Sequence, residues 1–256
     1  MDKTIANQNY SKVIGRLAEL ARRLEEEGLP YEALQRPIDD KEMRHRLVRF
    51  WIAGGFESSL SQKRAREIMG KNMFGIEEAI KHFEVNPSRE QLAALADVPF
   101  SEEVLASCKD THILVAFFPL SLLDIRGKVE SQRLFYDQSW YNKQAFAKDR
   151  GEVSWHLVLK TPVPDSTSKN WTEQQSLLGS DDETPFARVM AYTIIGHYLA
   201  TGEWLFEKIY VRCSEVDSYG QRVDLGLFDE DGLDVNSIWD NFRSDNLGLS
   251  SARKSN

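Results

Sequence analysis

Side chains able to do chemistry gather near the C-terminus. Between Cys213 and Asn246 stand nine acidic residues (Glu215, Asp217, Asp224, Asp229, Glu230, Asp231, Asp234, Asp240 and Asp245) against Arg222 and Arg243, a balance of −7. Carboxylates in turns are hard oxygen donors of the kind calcium takes. Asp229-Glu-Asp-Gly232 nevertheless lacks the rest of an EF-hand loop, including a glutamate at its twelfth position. Solvated hairpin turns are the plainer reading, and no metal is expected. The adjoining stretch, made of Asn236, Ser237, Ile238, Trp239, Asp240, Asn241, Phe242, Arg243, Ser244, Asp245 and Asn246, reads as neither strand nor helix. Its residue types suit adaptable recognition: aromatics supply contact area, small polar groups supply hydrogen bonds, and arginine supplies bidentate contacts. Ordered segments frame it on both sides, as expected for a binding surface mounted on a scaffold.

Catalytic signatures are missing from the sequence. It has no glycine-rich phosphate loop, no strand–GxGxxG–helix, no GxSxG elbow and no HExxH. His45, His82, His112, His156 and His197 are scattered without metal-ligand spacing, and no cofactor is expected. His156 and His197 fall within apolar elements, which suits hydrogen-bonded core histidines. Cys108 and Cys213 cannot build a zinc site alone or a disulfide framework. Cys213, inside a strand, is expected to be buried rather than reactive.

These residues must be positioned by a chain of two unlike parts. The 256 residues, 41% hydrophobic and 28% charged, have an ordinary soluble globular composition, enough for one large or two small domains. A net charge of −8 argues against a whole-chain nucleic-acid binder. The longest apolar stretch, Ile113–Leu123, is too short to span a membrane and contains Pro119. Met1-Asp-Lys-Thr opens a polar segment without the look of a signal peptide, so a soluble cytoplasmic protein is expected.

Residues 1–107 read as a helical region. Tyr10, Val13, Leu17, Leu20 and Leu24 form an apolar seam ended by Gly28 and Pro30, which suits packing on a neighbouring helix or a short coiled coil in a homo-oligomer. Further helices are expected over Asp40–Trp51 (stopping at Gly54-Gly55), from near Ser61, over Ile76–Phe83, after the Ser88/Gln91 capping box, and from Ser101 to Cys108. From Lys41 to Lys71 eight basic residues face three glutamates, a helix–Gly–helix pattern that makes DNA binding by residues 40–83 an alternative.

Residues 108–256 mix strands, helices and hairpins, which makes the fold class α+β. Ile113–Phe118 reads as a buried strand that Leu120–Ile125 extends, with Arg126-Gly-Lys128 as the turn. Leu134-Phe-Tyr136 and Trp140-Tyr141 add aromatic bulk to the same core. Ser154–Lys160 is a second strand, Asn170-Trp-Thr-Glu173 opens a helix, and Thr184-Pro185 opens a buried helix closed by Gly202. Strands at Ile209–Cys213, Gln221–Leu225 and Leu233–Val235 follow, with Leu247–Arg253 as the last.

The order of these pieces resembles the C-type-lectin-fold variable proteins targeted by diversity-generating retroelements, a fold related to formylglycine-generating enzymes. The matching pieces are Ser154-Trp-His-Leu-Val158, Ser166-Thr-Ser-Lys-Asn-Trp-Thr-Glu-Gln-Gln175 and Ala200-Thr-Gly-Glu-Trp-Leu-Phe206. Tyr210-Val-Arg-Cys213, Val223-Asp-Leu-Gly-Leu-Phe228 and Asn246-Leu-Gly-Leu-Ser-Ser-Ala-Arg-Lys254 complete the set. The resemblance covers about 140 residues, beyond residue 107. It implies a non-catalytic binding domain with a diversified face at 236–246 and an unknown protein as ligand. Trp239 and Phe242 would anchor the ligand, Arg243 would meet a carboxylate, and the Asn, Ser and Asp side chains would tune specificity. Codon logic in that family makes Trp239 part of the framework. The related oxidase activity, the enzyme alternative, needs a reactive cysteine pair, which Cys108 and Cys213 do not offer by position.

Overall fold

The computed structural model describes residues 3–52 and 57–255, which fall into two compact units, Met1–Gly55 and Phe56–Asn256. In the first unit α1 (Lys3–Glu26) ends where Gly28 takes φ 93°, a left-handed conformation that suits glycine. The amide of Leu29 then donates to the Leu24 carbonyl at 2.8 Å. Along α1, Ile14 and Leu17 are 52% and 57% exposed, and Leu20 is exposed as well. The side chains of Tyr10 and Val13, the other end of the expected seam, lie outside the described residues, as do Gly54 and Gly55. α2 (Gln35–Asp39) and α3 (Lys41–Ile52) follow, and Asp40 caps α3 by accepting from the amides of Glu42 and Met43 at 2.8 and 3.1 Å.

The second unit is mixed α+β. It runs α4 (Leu60–Met69), β1 (Met73–Phe74), α5 (Ile76–Phe83), α6 (Arg89–Ala94), α7 (Glu102–Cys108), β2 (His112–Phe117), α8 (Leu122–Lys128), α9 (Ala145–Lys148) and β3 (Ser154–Leu159). It continues with α10 (Trp171–Gln175), β4 (Asp182–Glu183), α11 (Ala187–Thr201), β5 (Tyr210–Val216), β6 (Arg222–Asp229), β7 (Gly232–Ile238), β8 (Leu247–Leu249) and β9 (Ala252–Arg253). One sheet has the order β1-β2-β3-β9-β4 and the other β7-β6-β5-β8. α11 packs against β1, β2 and β3 of the first and β5 and β6 of the second. Its residues Ala187–His197 are all buried, so it shows no polar face, as a helix enclosed between layers must. Tyr192 Oη donates to the Ala116 carbonyl at 3.0 Å and packs with Phe74, Phe83 and Phe117.

The helices after residue 56 belong to this unit. β1 pairs in parallel with β2, and the Leu95 carbonyl accepts from Trp155 Nε1 of β3 at 3.0 Å and from Gln62 Nε2 of α4 at 2.6 Å. The compositional boundary at residue 107 is therefore a change of grammar inside one packed body. The basic stretch Lys41–Lys71 is divided between the units. Its members in the second are matched to carboxylates: Lys63 with Glu57, Arg64 with Glu67 and Glu102, Arg66 with Glu78, and Lys71 with Glu203.

Three expectations change. Leu120–Ile125 does not extend β2, because Pro119 removes a donor and Ser121 with Asp124 forms a capping box that starts α8. The final strand is two: β8 pairs with β5 in one sheet and β9 with β3 in the other. The change of sheet falls at Ser250-Ser251, where Ser250 Oγ donates to the Arg212 carbonyl at 2.6 Å and the Ser251 carbonyl accepts from the Leu159 amide at 2.9 Å. Finally, Asn236–Ile238 is not irregular; it completes β7, pairing with Arg222–Asp224 of β6. The loop proper begins at Trp239.

Candidate functional site

Strand alternation gives the four-stranded sheet two unlike faces. Val211, Cys213, Val223, Leu225 and Val235 are all buried on the apolar side. Register places Tyr210, Gly226 and Asp234 in one row of the other face, and Arg212, Asp224 and Asn236 in the next. No side chain stands between Tyr210 and Asp234, because the residue between them is glycine, and the Tyr210 hydroxyl donates to Asp234 Oδ2. Gln138 Nε2 donates to Asp234 Oδ1 at 2.8 Å.

Over the Arg212 end of this polar face lies the loop 239–246. Arg212 is 0% exposed, and its guanidinium reaches two chain segments. Nη2 donates to the carbonyls of Trp239 at 3.2 Å and Phe242 at 2.8 Å. Nη1 donates to the Lys169 carbonyl at 3.3 Å and to Gln174 Oε1 at 2.9 Å. The two segments also bond each other directly, the amide of Trp171 to the Asp240 carbonyl at 2.8 Å and the amide of Ser168 to the Ser244 carbonyl at 2.7 Å. Arg222 forks onto Asp240 with both distances at 3.1 Å and lies over the Trp171 ring, 3.9 Å from its centroid. The Tyr210 amide donates to the Asn246 carbonyl at 2.9 Å and closes the loop onto β5.

The loop's side chains divide accordingly. Trp239 and Phe242 are 52% and 46% exposed, and Asn241, Asp245 and Asn246 are exposed beside them. Asp240 is committed to Arg222. Arg243, expected to await a ligand carboxylate, is paired with Glu173 at 2.7 Å. Glu173 is held below the usual carboxylate range by the Asn170 amide and by Arg243. Ser244 Oγ is bonded to Asn246. Of the strand residues, Asn236 and Ile238 lie on the polar face, whereas Ser237 Oγ donates to Asp217 Oδ2 at 3.0 Å, with Gln221 Oε1 at 3.2 Å beside it.

Buried Asp224 stands opposite Arg212 in the register, and its Oδ2 makes no hydrogen bond with the protein. Burial pushes its carboxyl up to about 7, with Arg212 opposing and Asp234 adding to the rise. The cysteines and histidines lie away from this face. Cys108 and Cys213 are free and buried, and burial raises the Cys213 thiol well above its ordinary value. His156 Nε2 meets Ser154 Oγ at 3.0 Å, and burial, aided by Arg188, lowers it to about 4. Burial likewise lowers His197, which stands 3.4 Å from Glu203. No group of three or more His, Cys, Asp or Glu among the described residues is placed to hold a metal ion, and no described helix is long and apolar enough to cross a membrane.

Sequence reasoning passed over Arg212, Trp171 and Gln174. One signal was available: Arg212 interrupts Tyr210-Val-Arg-Cys213, and a charge on a strand flanked by buried residues asks for partners. Comparison with protein-family models, with curated proteins and with solved structures returned no match, so the reading of this surface rests on its own geometry.

Proposed function

We propose that the chain is a ligand-binding protein of C-type-lectin-like type whose recognition surface is the loop 239–246, with a protein as its ligand. The observation that carries this reading is the exposure of Trp239 and Phe242 on a loop whose main chain is tied to a buried guanidinium and to a second segment. Large aromatics held rigidly in water retain apolar area for a partner and lose little conformational freedom on binding. They would anchor the ligand, with Asn241, Asp245 and Asn246 around them. Arg243 would take part by exchanging Glu173 for a ligand group.

Exposed Ile14, Leu17 and Leu20 on α1 support self-association through that helix. Leu17→Asp should then lower the mass seen by sedimentation, and an unchanged mass would remove this part of the reading. The free, buried cysteines suit a reducing, cytoplasmic setting.

The binding reading is tested by placing a photo-crosslinking residue at position 242, and separately at 231, in the full chain within its source cells. A discrete adduct at 242, absent at 231 and lost on adding Trp239→Ala, is expected. Equal adducts at the two positions, or none at 242, would overturn it.

A further inference from the structure

We propose that Arg212 is the positioning residue of this surface, and that it joins the segment 168–174 to the loop 239–246 as one bipartite binding face. The inference rests on the recognition reading above and adds residues to it, notably Trp171 and Thr172.

The four acceptors of Arg212 are all neutral, three main-chain carbonyls and one side-chain amide, contributed by segments about 70 residues apart in sequence. Burying a guanidinium without a carboxylate in contact is an expensive way to fill a core position, and a well-packed apolar side chain would stabilise the sheet more. An apolar residue cannot, however, hold two chain segments by their carbonyls. The planar fork of arginine can, since its two terminal nitrogens point to different neighbours at fixed angles. Nη2 takes the loop and Nη1 takes the other segment.

Gln174 extends the hold. While its Oε1 accepts from Arg212, its Nε2 donates to the carbonyls of Ser166 at 2.8 Å and Leu247 at 3.2 Å, just before one segment and just after the other. Both segments thus refer to one buried cation. Thr172 is exposed on the second segment, and Trp171 lies beneath Arg222, which grips Asp240 of the loop. Because the bonds go to main-chain carbonyls, the shape of the loop is set from below, and the exposed Arg243–Glu173 pair adds little to it.

Amide hydrogen exchange on the full chain separates this role from a general contribution to folding. Arg212→Met should cut protection at Ser168, Trp171 and Phe242 about 100-fold beyond any fall shared by β2 and β3. Arg212→Lys, the milder change should the first variant fail to fold, should cut it about 10-fold at the same amides. The variant with Trp239, Phe242 and Arg243 all changed to Ala should keep wild-type protection at Ser168 and Trp171. Unchanged protection in Arg212→Lys, a uniform loss across the second unit, or loss in the triple variant would each overturn the positioning role. A photo-crosslinking residue at position 172 should give the same adduct as one at 242. An adduct at 242 but not at 172 would overturn the bipartite face while leaving the loop's own binding role standing.

Discussion

Two connections in the four-stranded sheet both carry acidic residues and have opposite mountings. The turn between β6 and β7 holds Asp229, Glu230 and Asp231; the loop between β7 and β8 holds Asp240, Asp245 and small polar residues around two aromatics. The turn closes on itself, Asp229 Oδ1 accepting from the Asp231 amide at 2.9 Å, and its acidic side chains face water. The loop is bonded from outside itself, by Arg212, Trp171, Ser168 and Tyr210. Acidic content alone does not separate a solvated turn from a recognition loop. What separates them is whether distant parts of the chain spend hydrogen bonds on the main chain.

The comparison breaks most severely at Arg212. Arg212→Ala leaves four acceptors unmet and a void beneath the loop, a loss of about 2–4 kcal/mol by chemical denaturation. A loss below 1 kcal/mol would mean that the loop does not depend on what lies beneath it.

Next in size is a pH effect at the loop's foundation. Asp224 keeps its proton to about pH 7 in the folded chain, and Glu215 of β5, whose carboxylate accepts from the Ala187 amide at the start of α11, does the same. In the unfolded chain both release it near pH 4. Between those values the folded state binds more protons, so stability falls as pH rises, and the full penalty is present above pH 7. Asp224→Asn should flatten this fall by about 2 kcal/mol between pH 4.5 and 6.5 and be no less stable than wild type at pH 8. An equally steep curve in the variant would place the titration elsewhere.

The turn has one point of comparable sensitivity, and it is backbone. Gly232 has φ 97°, and a Cβ there would lie 2.5 Å from the Phe135 carbonyl carbon. Gly232→Ala should cost about 1–3 kcal/mol in thermal unfolding. Glu230→Ala and Asp231→Ala should stay within about 0.5 kcal/mol, the smallest effect of the series. A large effect from either would show that the turn's carboxylates are engaged after all.

The features legible in the sequence were those fixed locally. Ser88 with Gln91, Asn170 with Glu173, and Gly202 at the end of α11 act within a turn of chain, and each is found where spacing put it. Continuous apolar runs such as β2 declared themselves by needing burial on both faces. What remained illegible depends on partners far along the chain. β1 and β4 are two-residue strands that exist because β2 and β9 are there to pair with them. Leu247–Arg253 reads as one strand, but two sheets claim its ends. At the site, sequence reasoning reached Trp239 and Phe242 through residue type. It could not see that Arg243 meets Glu173, 70 residues away, or that Arg212 holds the loop from within.

The difference between the two connections is tested most directly by native-state amide exchange of the unmodified chain at residue resolution. The amides of Ser168 and Trp171, which donate to loop carbonyls, should exchange at least about 100-fold more slowly than the amide of Asp231 in the self-closed turn. Equal rates at the three positions would contradict a recognition loop held in place from beneath.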